Sequence, residues 1–120
     1  MAEQRRIKRI NSLLKETISD VIRMDLKHYK LPDLITITDV DTSRDLQHAK
    51  VYVSLVNGTD EDKSFLVEEL QKCASKIAYM SSKKVVMRYF PQLTFKIDNS
   101  IDEYMKIDAL LSKAGVNQDN

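Results

Sequence analysis

Between Ala49 and Val56 the chain reads AKVYVSLV. Ala49, Val51, Val53 and Leu55 alternate with Lys50, Tyr52 and Ser54. Successive side chains of a strand point to opposite faces, so this pattern predicts a strand with one buried face and one wetter face. Such a strand needs neighbours in a sheet and cover on its apolar side.

The flanking sequence supplies both. From Glu3 to about Lys27, residues Ile7, Ile10, Leu14, Ile18 and Val21 recur at steps of three and four, the apolar stripe of a helix. Arg5, Arg9, Ser12, Glu16, Ser19 and Arg23 make a second stripe, polar and mostly basic. Pro32 biases Leu31 away from helical angles and ends the helix. LITITDV, from Leu34 to Val40, is rich in β-branched residues and predicts a first strand. DTSRDLQH joins it to the second as a loop extending a hairpin. NGTDED then breaks the sheet: Gly58 is expected to supply the turn, and Thr59 with Asp62 has the form of a capping box.

A helix from about Asp60 carries Leu66, Leu70, Cys73 and Ile77 on one side. Helical character is expected to about Arg88, with a bend near Ala74 to Ser75. Pro91 closes this region. LTFKI predicts a third strand, with Leu93, Phe95 and Ile97 inward and Thr94 and Lys96 outward. Ser100 and Glu103 predict a second capping box and a short helix to about Ser112. The expected fold is α+β, a three-stranded sheet with helices packed on one face. The 120 residues are one domain's worth, so 1–112 are expected to form one domain and 113–120 a flexible tail.

Charge is unevenly spread. The net charge is only +1, yet Gln71 to Lys96 holds no acid, and Met1 to Lys30 is rich in Arg and Lys. A one-sided electrostatic surface follows if the two segments meet. Lys76, Lys83, Lys84 and Arg88 stand beside the small polar Ser75, Ser81 and Ser82, which would let a phosphate backbone approach. Nucleic-acid binding is therefore favoured over a merely solvated face. Tyr79 or Tyr89 could supply base stacking, but both are read as packed side chains.

Other chemistry finds little footing. Asp39, Asp41 and Asp45 resemble a calcium loop, but Arg44 and Lys50 stand where that loop needs Gly and Glu. Cys73 is the sole cysteine, set on an apolar stripe, and His28 and His48 show no metal spacing with it. With two glycines there is no Gly-rich phosphate loop. No enzyme, metal or cofactor is expected. MAEQRRIKRI has no apolar run after its charges, so no secretory signal is expected; no apolar stretch approaches the ~18 residues of a membrane span; and the single cysteine leads to the expectation of a reducing, cytoplasmic compartment.

The element order is similar to a type II KH domain, but the GXXG loop of such modules is absent. Three stretches resemble the bacterial ribosome-binding factor A family: RRIKRINSLLKETISDVI in its first helix, SRDLQHAKVYVSL in its loop and second strand, and PQLTFKIDNSIDE in its third strand and following helix start. The resemblance implies a small-subunit assembly factor, important in the cold, that binds the immature particle through ribosomal RNA. The family bends its central helices at an Ala-x-Gly kink. Cys73, Ala74 and Ser75 hold those positions here, so a shallower kink is expected.

The candidate RNA contacts are thus Arg5, Arg6, Arg9, Ser75, Lys76, Ser82, Lys83, Lys84 and Arg88. Lys76, Lys83, Lys84 and Arg88 are expected to form one wall and the N-terminal arginines a second, in a monomer whose partners are ribosomal RNA and the small ribosomal subunit. The alternatives are a KH-like module for other structured RNA and a protein-interaction module docking through its sheet.

Overall fold

The computed structural model describes residues 2–25 and 35–100. Helix α1 spans Ala2–Asp20 and opens into a π turn over Val21–Asp25. Strands β1 (Ile35–Thr42) and β2 (His48–Leu55) precede helices α2 (Asp60–Lys72) and α3 (Ala74–Ser82), and β3 (Gln92–Ile97) follows. The end of the first predicted helix, at Lys27, and the predicted C-terminal helix lie outside the described residues.

β2 is the central strand, antiparallel to β1 and parallel to β3. Its inward side chains Ala49, Val51, Val53 and Leu55 are buried as their alternation requires. Leu14, Ile18 and Val21 of the first helix meet them in one core with Leu66, Leu70, Ile77, Leu93 and Phe95. β1 has a bulge: Ile37 pairs with Val53 and Asp39 with Tyr52, leaving Thr38 as the extra residue. That shift lets Ile37 and Val40, three positions apart, both face the core. The displaced Thr38 hydroxyl donates to Asp98 Oδ2 at 2.6 Å.

Four local expectations change. The helix break falls at Cys73, not at Ala74 to Ser75. Cys73 has φ −91° and ψ 1°, the bridge region open to any L residue, and its N–H is shared between the Glu69 and Leu70 carbonyls. Ser75 lies inside α3. The kink therefore needs no glycine. α3 also stops at Ser82 and does not reach Arg88. There the Ser82 hydroxyl donates back to the Tyr79 carbonyl at 2.7 Å, and Lys84 N–H closes a turn on Ser81 O. After β2 the left-handed residue is Asn57 at φ 60°, not Gly58. Gly58 is small for another reason: a Cβ there would lie 2.4 Å from Leu55 Cδ2. Finally, Ser81 is fully buried and cannot face a phosphate. The capping box at Thr59 and Asp62 is present as read.

Side-chain amides cover parts of both sheet edges. Gln71 of α2 donates from Nε2 to Leu93 O at 3.2 Å and accepts from Phe95 N–H at 3.0 Å. Asn11 of α1 accepts from Thr42 N–H at 2.9 Å. Open strand edges invite pairing with other chains, and these amides take up groups that such pairing would use.

Candidate nucleic-acid interface

Arg5, Arg6 and Arg9 of α1 stand out in solvent, while Leu14 and Ile18 on its apolar stripe are buried in the core. The segment between α3 and β3 crosses the same end of the molecule. It is held by Pro91, which is buried, and by Met87 and Phe90, which pack against the core. Arg88 and Tyr89 therefore point outward. The two segments and the β1–β2 loop enclose an open groove of about 1140 Å³.

Arg5, Arg6 and Arg9 line one side of this groove and Arg88 another. Ile10, Leu13, Leu46, Val86, Met87 and Tyr89 provide apolar surface between them. Among the described residues the one acid in the lining is Asp45. Its carboxylate accepts from the Ser43 hydroxyl at 2.6 Å and from Gln47 N–H at 3.1 Å. The Ser43 bond, then the Gln47 bond, holds its pKa below the ordinary carboxylate value. Asp45 is thus tied into its own loop, and the four guanidinium groups outnumber its single carboxylate and set the sign of the groove. The same loop holds Leu46 at φ 62°, a strained angle for a leucine, fixed by Leu46 N–H to Ser43 O and by Gln92 N–H to Gln47 O.

A second groove of about 500 Å³ adjoins the first, sharing Leu46, Gln47 and Tyr89. Ser75 lines it, together with Ala74 and Ala78 of α3. Lys76, Lys83 and Lys84 are exposed but line neither groove. Arg88 thus shares its groove with the N-terminal arginines, and the expected wall of three lysines with Arg88 is not formed there. The break at Ser82 is the cause: it turns the chain, so that Lys83 and Arg88 no longer follow one helical face. Ser82 is half-buried with its hydroxyl committed to Tyr79 O.

Both tyrosines read as packed are exposed: Tyr79 by 62% and Tyr89 by 74%. Each carries a cation near its face. Lys83 Nζ lies 4.4 Å from the Tyr79 ring centroid, and Arg88 Cζ lies 5.5 Å from that of Tyr89. The signal was available for Tyr89. It adjoins Phe90 and Pro91, and neighbouring side chains in an extended segment point to opposite sides.

Comparison with known proteins adds the family. The family model described as ribosome-binding factor A matches residues 6–111. The chain belongs to the ribosome-binding factor A family. The family is a ribosome-binding factor and not an enzyme. A ribosome-binding factor A of Protochlamydia amoebophila (strain UWE25) is 49% identical over 108 residues, covering 90% of this chain and 82% of that protein. The crystal structure of ribosome-binding factor A from Thermus thermophilus superposes with a TM-score of 0.66 at 20% identity, over 76% of this chain and 94% of that one. A homology model of the Thermus thermophilus ribosome binding factor A, fitted into the cryo-EM map of a complex with 30S, gives a TM-score of 0.60 at 19% identity, over 74% of this chain and 91% of that one. At these identities the two structures speak for the fold.

Proposed function

We propose that this member of the ribosome-binding factor A family binds the immature small ribosomal subunit through ribosomal RNA and promotes its late maturation, with particular importance in the cold. The observation that carries the RNA reading is the convergence of Arg5, Arg6 and Arg9 with Arg88, more than seventy residues away in sequence, on one open groove. Arginine forks match phosphate oxygens in pairs, and a groove with cationic walls concentrates a polyanion. Ser75, Lys76, Ser82, Lys83 and Lys84 flank this interface in the proposal and add phosphate contacts outside the groove. The Thermus thermophilus relative fitted into a 30S complex supports the choice of particle.

The protein acts as a monomer of one domain, residues 1–112, with 113–120 as its tail, and works in the cytoplasm, where ribosomes assemble. Among the described residues no helix is long and apolar enough to cross a membrane. Docking of a protein strand on the sheet is the weaker reading, since Gln71 already occupies Leu93 O and Phe95 N–H on the β3 edge.

The test is cosedimentation with separated ribosomal particles across a salt series. The protein should pellet with small subunits, and its affinity should fall steeply as salt rises. Salt-insensitive binding, or equal binding to large subunits, would refute the proposal.

A further inference from the structure

We propose that the arginine groove receives an unpaired stretch of RNA, with one base laid against the ring of Tyr89. This rests on the RNA-binding reading and narrows it from any phosphate backbone to a single strand. A duplex presents phosphates and 2′-hydroxyls and keeps its bases stacked inside, so its recognition has no use for an aromatic ring on an apolar floor. A splayed nucleotide has a flat π-face, polar edges and a charged phosphate. The groove offers a counterpart to each. Tyr89 supplies a ring that is 74% exposed, beside Leu46 and a fully exposed Val86. Gln47 supplies a side-chain amide in the same lining, and the four arginines supply the charge.

The surface is also built before any ligand arrives. Tyr89 is held outward because Phe90 packs against the core and Pro91 is buried. Leu46, in the same lining, is held in its strained left-handed angle by the hydrogen bonds of the loop. A rigid ring costs little further entropy on binding. The other exposed ring differs. Tyr79 lies in neither groove, whereas Tyr89 lines both, and the Arg88 guanidinium 5.5 Å from the Tyr89 ring brings a phosphate partner to the same place. Tyr89, at the junction of both grooves, is the position where a strand running along them would place a base.

The chain contains no tryptophan, so Tyr89→Trp puts a single emitter in the groove. The probes are an oligoadenylate of about eight nucleotides and an RNA hairpin whose stem of about eight base pairs is closed by a non-nucleotide linker, so that it offers no unpaired base. The oligoadenylate should quench the emission of Tyr89→Trp. Tyr89→Ala should weaken oligoadenylate binding about 5- to 150-fold, the range for one base stacked on one aromatic ring. Its log-affinity against log-salt slope should not change, and Tyr89→Phe should bind like the wild type. Hairpin affinity should be nearly unaffected by Tyr89→Ala, whereas Arg88→Ala should lower the salt slope for both probes. Absence of quenching at saturation, or equal losses of hairpin and oligoadenylate in Tyr89→Ala, would overturn the stacked base alone. A wild-type protein that binds neither probe nor small subunits in a salt-dependent way would overturn the RNA reading with it.

Discussion

Replacing Gln71 by glutamate isolates the group that covers the β3 edge. The Gln71 amide makes two bonds, donating at 3.2 Å to Leu93 O and accepting at 3.0 Å from Phe95 N–H. An ionised carboxylate only accepts. Gln71→Glu keeps the bond from Phe95 N–H, loses the donor, and sets a negative oxygen against a carbonyl. One lost neutral hydrogen bond costs about 1 kcal/mol, and the exposed position of Gln71 lets water take up the Leu93 carbonyl. The loss at neutral pH should be about 1 kcal/mol, or about 4 °C in melting temperature for a domain of this size.

Protonation reverses the change. A neutral carboxyl donates to Leu93 O while still accepting from Phe95 N–H, so its folded-state pKa is raised above the unfolded value of about 4.3. The penalty is present above the folded pKa and shrinks as pH falls through it. Urea unfolding of wild type and variant near pH 7 and near pH 4 measures both arms. Equal stabilities at neutral pH, or a deficit unchanged on acidification, would show that this amide does not hold the edge.

Gly58→Ala should cost about 1–3 kcal/mol in urea unfolding, because the new methyl meets Leu55 Cδ2 at 2.4 Å and Cγ at 2.7 Å. Ser75→Gly should destabilise slightly, by less than about 1 kcal/mol, since Ser75 is helical; a stabilised variant would put the strain back at this residue. Cys73→Ala should cost on the order of 1 kcal/mol, because the thiol packs against the core and the kink angles suit alanine. Asp98 accepts from Ser100 and from Thr38, which hold its pKa below the ordinary 3.8. Its contribution to stability is present above that value and is lost as pH falls through the lower folded one, so Asp98→Asn should unfold with a shallower pH dependence between about pH 5 and pH 2.

Where the sequence carries a strict period, it is a sufficient guide. Ala49, Val51, Val53 and Leu55 are all buried on one face, and Leu14, Ile18 and Val21 cover it. The bulge at Thr38 is harder to see, though Ile37 and Val40 cannot both face inward in an unbroken strand. Sequence reasoning puts the helix break one or two residues late because it follows the locally weaker helical signal of ASK, Ala74 to Lys76, while Cys73 achieves the break with angles open to any L residue. The groove is half legible. Acid-free composition draws attention to the right part of the chain, but composition has no direction. It cannot tell that Ser81 faces inward, that Lys83 lies over Tyr79, or that Arg88 joins the α1 arginines. Those facts depend on where α3 ends, and a single hydrogen bond from Ser82 marks that point.

The most direct test compares two cation-stripped variants on isolated small subunits. One carries Arg5→Ala, Arg6→Ala, Arg9→Ala and Arg88→Ala; the other carries Lys76→Ala, Lys83→Ala and Lys84→Ala. Each cation removed from a phosphate should reduce the log-affinity against log-salt slope by about 0.7 on the single-strand scale. The groove variant should therefore give up about 2.8 of its slope if all four arginines bind phosphate, and the lysine variant should give up less. A groove variant that keeps the wild-type slope while the lysine variant does not would contradict the assignment of the groove as the RNA interface.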